Sequence, residues 1–318
     1  MQYFITGGAG FIGSNMADRL LKDGHKVTVY DKFVTGHREF LEEALKSSDF
    51  TLIEGDCADE DKMAEAMKGS DMVFHFAANA DVRRGLEHPM KDLEQNTNNT
   101  FHVLEAMRKA GVGRIGFSST GSVYGEAEVI PTPENAPFPV QTSLYGASKL
   151  AGEGLIAAYC EGYGFTGYIF RFVSILGERY PHGHVYDFCK ALGRDPENLH
   201  ILGDGHQKKS YLYVGDCINA ILTVVDKCSD KVNIYNLGTD EYCEVNDSAS
   251  WIASELGVSP KFTYSGGNKG WIGDNPFIYL DTKKIRSLGW IPELTIEQAV
   301  RRTVRYIQKN PWLLEDGK

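Results

Sequence analysis

Three side chains near the middle of the sequence could together move a proton to or from a hydroxyl group. Tyr145 and Lys149 are four residues apart, so a helix would place them on one face. A phenol with a pKa of about 10 is a poor base at neutral pH, but a neighbouring ammonium stabilises the phenolate and lowers that pKa. Thr120 offers a hydroxyl that could orient the reacting oxygen. Together they predict general acid–base chemistry at an alcohol or carbonyl carbon.

Each of these residues also has an ordinary structural explanation. Tyr-x-x-x-Lys is common on helix surfaces, and a threonine at a strand end often caps its own turn. The spacing becomes informative only if the chain also binds a group that accepts hydride while Tyr145 takes the proton. The first thirteen residues provide a candidate for that binding site.

A glycine-rich turn follows a predicted first strand and opens a predicted helix. Its sequence reads Gly8-x-Gly10-x-x-Gly13, the spacing at which glycines permit a tight turn and let backbone amides approach a pyrophosphate. An ordinary glycine turn remains the alternative. The residues of this segment that we predict to contact a dinucleotide are Gly7, Gly10, Phe11, Ile12 and Gly13.

Asp31 selects between the two common dinucleotides. It lies eighteen residues past Gly13, at the end of the second predicted strand, where a carboxylate accepts hydrogen bonds from an adenosine ribose. The carboxylate would repel a 2'-phosphate, so NAD is predicted rather than NADP, although Lys32 is a cation that could tolerate the extra phosphate. The positively charged nicotinamide of NAD would act together with Lys149 to stabilise the phenolate of Tyr145 and lower its pKa. Asp56 and residues 76–78 (Phe76, Ala77 and Ala78) follow later strands, at the edge where such sheets bind ligands.

The elements that position these residues alternate between short apolar runs and stretches of helical period, as in a doubly wound parallel sheet. The predicted strands cover residues 3–6, 27–30, 51–54, 72–77, 115–118 and 168–172. The predicted helices between them cover residues 13–22, 58–68, 91–109 and 145–163. We therefore predict an α/β fold with a Rossmann-like domain over residues 1–170.

The pattern changes after this domain into Pro- and Gly-rich loops with helical stretches, which predicts a smaller, mixed α/β C-terminal lobe over residues 171–318. A predicted helix at 214–226 could return to the first domain, so we expect residues 207–238 to belong to it and the boundary to be interleaved. The chain should end on a helix at 296–308.

Composition limits the partners of the chain. Its 318 residues carry a formal net charge of -10, which argues against nucleic acid as a partner. None of the six cysteines forms a CxxC pair, so neither a disulfide framework nor a metal site is predicted. No segment has the length and apolarity of a membrane span. We expect an untargeted, cytoplasmic protein.

Seven motifs, matching in order along nearly the whole chain, resemble the extended short-chain dehydrogenase/reductase family and in particular its nucleotide-sugar epimerases. They are TGGAGFIG at 6–13, the acid at 31, HFAAN at 75–79, NTNNT at 96–100, SSTGSVYG at 118–125, YGASK at 145–149 and GDGHQKKSYLYVGD at 203–216. The resemblance implies NAD in the first lobe, a nucleoside-diphosphate sugar in the second and a homodimer formed through two paired helices. It also extends the expected NAD contacts to Cys57, Asn96, Ser118, Tyr145, Lys149 and Phe172.

The residues after Thr120 indicate which reaction to expect. The family's sugar dehydratases carry Thr-Asp-Glu there, and its decarboxylases keep the glutamate, whereas this chain reads Thr120-Gly121-Ser122. Without these acids the resemblance implies reversible oxidation at C4: a 4-epimerase of UDP-glucose- or UDP-galactose-like sugars, working through a transient 4-keto sugar. The alternatives are a nucleotide-sugar dehydrogenase or reductase, another sugar-modifying member of the family, or a dinucleotide-binding protein without catalysis.

The expected substrate contacts depart from the family pattern. Ser174 stands where the family usually has asparagine, and Lys209 replaces a phosphate-binding arginine, which keeps the charge but loses the bidentate geometry. Lys269 could replace a second missing arginine, and Arg83 could meet a substrate hydroxyl or carboxylate, although a solvated surface arginine is an equal alternative. With Thr120 and Tyr145, these four complete the predicted substrate site.

Overall fold

The computed structural model describes residues 1–79, 85–138, 140–267 and 277–315. These residues form thirteen strands, which we number in chain order: β1 (Gln2–Thr6), β2 (Lys26–Asp31), β3 (Phe50–Glu54), β4 (Met72–His75), β5 (Arg114–Thr120), β6 (Thr166–Phe172), β7 (Ser174–Leu176), β8 (Asn198–Ile201), β9 (Lys208–Lys209), β10 (Tyr211–Tyr213), β11 (Val232–Leu237), β12 (Cys243–Glu244) and β13 (Lys261–Tyr264).

Seven of the strands form one parallel sheet in the order β11-β6-β5-β4-β1-β2-β3. The order reverses between β1 and β4, the point at which sheets of this kind bind ligands beyond their carboxyl ends. This arrangement confirms the predicted Rossmann-like α/β fold. The sequence indicated six of these strands, each to within two residues at either end, and missed β11, which pairs with β6.

Helices cover the sheet and build the second lobe. In chain order they are α1 (Phe11–Lys22), α2 (Glu60–Met67), α3 (Pro89–Asp92), α4 (Asn99–Ala110), α5 (Leu144–Tyr163), α6 (His184–Arg194), α7 (Val214–Lys227), α8 (Val245–Leu256), α9 (Lys283–Arg286) and α10 (Ile296–Lys309). The single helix predicted at 91–109 is divided, because the π-helical turn Leu93–Asn98 separates α3 from α4. Among the described residues, no helix combines the length and apolarity that crossing a bilayer requires.

Three apolar cores hold these elements together. On one face of the sheet, residues of α1 and α7 pack with strand side chains such as Ile5 and Phe74. On the other face, residues of α2, α4 and α5 pack around Phe4 and Phe117. The third core joins α6, α8 and α10 in the C-terminal half of the chain. Although α7 and β11 lie late in the sequence, they pack with the main sheet; the domain limits 1–170 and 171–318 remain a prediction.

Candidate active site

The glycine turn brings the end of β1 against the loop that follows β4. Gly7 has a left-handed φ of +69°, and a Cβ there would lie 2.5 Å from the backbone nitrogen of Ala77. A Cβ on Gly13 would lie 2.3 Å from the carbonyl oxygen of Gly7. No side chain caps the start of α1 at Gly10, so its first amides face the turn without a capping group. This cradle fits the pyrophosphate of a dinucleotide.

Two backbone amides fix the carboxylate of Asp31 at the end of β2. The amide of Ala9 donates to Oδ2 at 2.9 Å, and that of Phe33 donates to Oδ1 at 2.8 Å. Burial raises the pKa of this carboxyl group, and the amides oppose the rise. Asp31 is therefore held in one orientation beside the glycine turn, as recognition of a ribose requires.

Lys32 forms an ion pair with Asp56, so the cation that could have tolerated a 2'-phosphate is directed at a carboxylate. Burial raises the pKa of Asp56, but the Lys32 ammonium and the Ala58 amide outweigh it and the pKa is lowered overall. The next residue, Cys57, is buried, and burial raises the pKa of its thiol to about 12.

The remaining strand-end residues lie along the same edge of the sheet. Phe76 directly follows β4, and its amide donates to the carbonyl oxygen of Thr6 at 3.1 Å. Ala77 and Ala78 continue that loop. Thr120 at the end of β5 is the register partner of Phe172 at the end of β6.

Lys149 is anchored to β5 from within α5. Its Nζ donates to the carbonyl oxygen of Ser118 at 2.8 Å and lies 4.8 Å from the centre of the Phe117 ring. The side chain is buried, and burial lowers the pKa of the ammonium to about 7 against the opposing carboxylates of Asp92 and Glu153.

Without NAD, the surroundings of Tyr145 do not favour the phenolate. Burial raises the pKa of the phenol to about 12, and the main opposing effect is a hydrogen bond with the Thr120 hydroxyl. The predicted lowering of this pKa depends on Lys149 acting together with the positively charged nicotinamide, so it stays a prediction for the enzyme with NAD bound.

Thr120 caps its own turn, which is one of the two alternatives that the sequence left open. Its Oγ1 accepts a hydrogen bond from the Ser122 amide at 3.1 Å and so caps the short 3₁₀ turn Gly121–Tyr124. The same hydroxyl donates to Oγ of Ser122 at 3.2 Å and lies near enough to the phenol of Tyr145 to oppose the rise of its pKa. Capping therefore fixes the hydroxyl next to the phenol.

The space beside Gly121 is filled. A Cβ on Gly121 would lie 2.6 Å from Cγ2 of Ile278 and 3.3 Å from the carbonyl oxygen of Phe172. An aspartate at this position would have to displace a branched side chain. The local packing is thus matched to glycine in the run Thr120-Gly121-Ser122.

Asn96 was predicted to contact NAD, and its side chain forms hydrogen bonds with other residues of the protein. Its Oδ1 accepts the Asn79 amide at 2.8 Å, and its Nδ2 donates to Oγ of Ser148 at 2.9 Å. Asp92 joins the same buried cluster. Asn79, Asp92 and Ser148 were not predicted as site residues, although Asn79 and Ser148 stand inside the HFAAN and YGASK motifs.

The predicted substrate residues are only partly described. Ser174 begins β7 with an exposed side chain, opposite Tyr211 of β10. Lys209 lies in β9 opposite Cys243 and near His184, whose pKa is lowered to about 3 by burial and then by that cation. Arg83 and Lys269 lie outside the described residues. In the part of the chain that is described, no group of three His, Cys, Asp or Glu side chains is arranged to hold a metal ion.

This fold and site define an NAD-dependent α/β enzyme. A family model for the "NAD dependent epimerase/dehydratase family" matches residues 3–238, and the chain belongs to that family. NAD is its cofactor, as predicted.

Relatives and solved structures with known names are similar to this chain over nearly its full length. A putative UDP-glucose 4-epimerase of Methanocaldococcus jannaschii is 33% identical over 96% of this chain and 98% of its own. The crystal structure of a UDP-galactose 4-epimerase is 36% identical, with a TM-score of 0.88 over 98% of this chain and 100% of that one. A dTDP-glucose 4,6-dehydratase of Streptomyces venezuelae with NAD bound, a double mutant, is 27% identical, with a TM-score of 0.90 over 99% and 100% of the two chains. Both epimerases and dehydratases of nucleotide sugars are therefore similar to this chain.

Proposed function

We propose that this enzyme inverts C4 of a UDP-hexose such as UDP-glucose or UDP-galactose. The observation that carries the proposal is the packing of Ile278 against Gly121, which leaves no room for an acid beside Thr120 where the dehydratases have one. Ser122 likewise lacks a carboxylate. A site with a proton-transferring tyrosine but without elimination acids suits reversible oxidation at one carbon.

The protein's own groups would handle the proton. Tyr145 removes the proton of the C4 hydroxyl and returns it after the sugar has turned over, while Thr120 orients the reacting oxygen. Because burial holds the phenol protonated without ligands, positive charge in the loaded site must favour the phenolate. NAD, when bound, accepts the C4 hydride and returns it to the other face.

The cofactor would be held by the strand-end residues. The glycine turn at residues 7–13 receives the pyrophosphate, and Asp31 accepts hydrogen bonds from the adenosine ribose. Asp56 and Cys57, the loop at 76–78, Ser118 and Phe172 line the rest of the groove. Lys149 would contact the nicotinamide ribose from the helical turn that follows Tyr145. Asn96 would act on the groove through Asn79.

The nucleoside diphosphate of the substrate would bind toward the second lobe. Ser174 and Lys209 remain the proposed contacts there, together with Arg83 and Lys269 from outside the described residues. We also propose a homodimer formed through paired helices. Because all six thiols are free, we place the enzyme in a reducing compartment such as the cytoplasm.

A direct assay tests the proposal. The purified enzyme is incubated separately with UDP-glucose and UDP-galactose without added NAD, and the sugars are separated by chromatography. Appearance of the C4 epimer from both directions, with no net NADH, is the expected result.

Other outcomes would contradict it. Steady accumulation of NADH would indicate a dehydrogenase that releases its cofactor, and loss of water from the sugar would indicate a dehydratase. A third outcome is that no nucleoside-diphosphate hexose is converted to its C4 epimer and that Tyr145→Phe leaves the biological activity of the protein intact. That outcome would indicate a dinucleotide-binding protein without catalysis.

A further inference from the structure

A buried carboxylate lies beside the helix that carries Tyr145 and Lys149, and the reaction proposed above does not use it. Asp92 ends α3 with 1% of the residue exposed. Its Oδ1 accepts hydrogen bonds from Nδ2 of Asn79 at 2.9 Å and from Nδ2 of Asn96 at 3.3 Å. Aspartate is almost never this buried unless it is partnered, so its position asks for an explanation.

Asn96 connects this carboxylate to α5. Its Nδ2 also donates to Oγ of Ser148 at 2.9 Å, and Ser148 donates to the carbonyl oxygen of Tyr145 at 2.8 Å. Asn96 lies in the π-helical turn Leu93–Asn98, a geometry that is frequent at functional sites. Hydrogen bonds therefore run without interruption from the loop after β4, through Asp92 and Asn96, to the backbone of the proposed base.

The charge of Asp92 also reaches the proposed catalytic pair. After burial, it is the main influence on the pKa of Lys149, which it raises, and it also raises the pKa of Tyr145. Among the residues that the structure describes, the other groups facing the pair are the Thr120 hydroxyl, the Glu153 carboxylate and the ring of His75, which stays neutral because burial lowers its pKa to about 3.

We propose that Asp92 is a positioning residue of the epimerase, acting through Asn96 and Ser148 on the turn of α5 that carries Tyr145 and Lys149 and serving as the fixed negative charge beside that pair. The inference rests on the proposed function, because it assigns Asp92 to the same reaction. The proposal gives Asp92 two roles, one through its hydrogen bonds and one through its negative charge. Separate variants test the two roles.

Asp92→Asn tests the charge. Asparagine keeps the size and an oxygen for the two amide donors but removes the negative charge, so both Tyr145 and Lys149 should lose their protons at lower pH. We expect both limbs of the pH profile of kcat/KM to move toward acid by about half a pH unit or more. A purely structural role would lower the rate without moving the limbs, and a profile at the wild-type position would overturn this part. Glu94→Gln, an exposed charge in the same segment, is the matched control and should leave the profile unchanged.

Ser148→Ala tests the hydrogen-bonded connection and keeps the charge. We expect kcat to fall about tenfold with the pH limbs in place, and Ser148→Thr to recover part of the loss because it restores a hydroxyl. A wild-type kcat in Ser148→Ala would overturn the connection. This variant also keeps the proposal testable if Asp92→Asn fails to fold.

A measurement without turnover separates this proposal from the proposed function. The ultraviolet absorbance of phenolate is titrated with NAD bound, in the wild type and in Asp92→Asn, and the signal of the matching Tyr145→Phe variant is subtracted from each. A lower midpoint in Asp92→Asn supports the charge effect whether or not UDP-hexoses are interconverted, and equal midpoints contradict it. Failure of the proposed function would show only in the epimerisation assay.

Discussion

Arg171 and Glu153 form a bidentate ion pair buried beneath the candidate active site. Nε of Arg171 lies 3.0 Å from Oε1 of Glu153, and Nη2 lies 2.6 Å from Oε2. Glu153 stands one turn after Lys149 on α5, and Arg171 comes from β6, so the pair fixes the helix against the sheet. Nη1 of Arg171 also donates to the Tyr124 hydroxyl at 2.7 Å, which extends the contact to the turn after Thr120.

Removing the charge of Glu153 should destabilise the fold strongly. In Glu153→Gln the Arg171 guanidinium would stay buried without its carboxylate, and such a loss typically costs about 3–5 kcal/mol. The free energy of unfolding in urea provides the measurement. Glu161→Gln is the matched control on the same helix, because its ion pair with Lys231 is exposed and should contribute little to stability. Equal losses in the two variants would contradict the structural role of the buried pair.

Tyr145→Phe should abolish most of the turnover and leave NAD bound. The substitution removes only the hydroxyl, so the proposed proton transfer is lost, and general acid–base catalysis is commonly worth about 10²–10⁴-fold in rate. We expect kcat to fall by that amount while NAD affinity changes less than about threefold. Tyr163→Phe, at the exposed end of α5, serves as the control and should retain the wild-type kcat. Near-normal turnover in Tyr145→Phe would show that another group is the base.

Gly13→Ala should weaken NAD binding strongly. The new Cβ would lie 2.3 Å from the carbonyl oxygen of Gly7, so the turn must open and its amides must move away from the pyrophosphate. We expect at least a tenfold loss of NAD affinity by calorimetry, and a lower melting temperature. Gly193→Ala is the control, since it adds a methyl group at an exposed position of α6 with no other atom within 4 Å; it should be neutral or stabilise by about 0.5–1 kcal/mol. Wild-type affinity in Gly13→Ala would argue against the cradle.

NAD affinity should weaken in acid through Asp31. Burial raises the pKa of this carboxyl group above the ordinary aspartate value of 3.8. As the pH falls, Asp31 therefore takes up its proton at a higher pH than an exposed aspartate does. The protonated group is a poorer acceptor for ribose hydroxyls, so the dissociation constant of NAD should rise as pH falls through the raised pKa. Asp31→Asn should bind NAD more weakly at neutral pH and lose this dependence. An unchanged acid dependence in Asp31→Asn would assign the titration to another group.

Local patterns predicted much of this structure, and long-range packing decided the rest. The glycine turn and six strands follow from spacing and apolar runs within short segments, which is why their positions were predictable. The strand Val232–Leu237 is defined by pairing with β6, some sixty residues earlier in the chain. The Asn96–Ser148 hydrogen bond spans 52 residues and leaves no local pattern.

Gly121→Asp, which introduces the dehydratase-like acid, should strain the turn after Thr120 because Ile278 occupies the space. Overpacking of this kind costs about 1–3 kcal/mol, so the free energy of unfolding should fall by that amount and epimerisation should slow as Thr120 shifts. Ile278→Ala opens the space at a cost of its own. The double variant should therefore lose less free energy of unfolding than the sum of the losses in the two single variants. A double-mutant cycle in urea measures this favourable coupling directly. Strict additivity would mean that Ile278 does not exclude the acid, and the packing argument for an epimerase would fail with it.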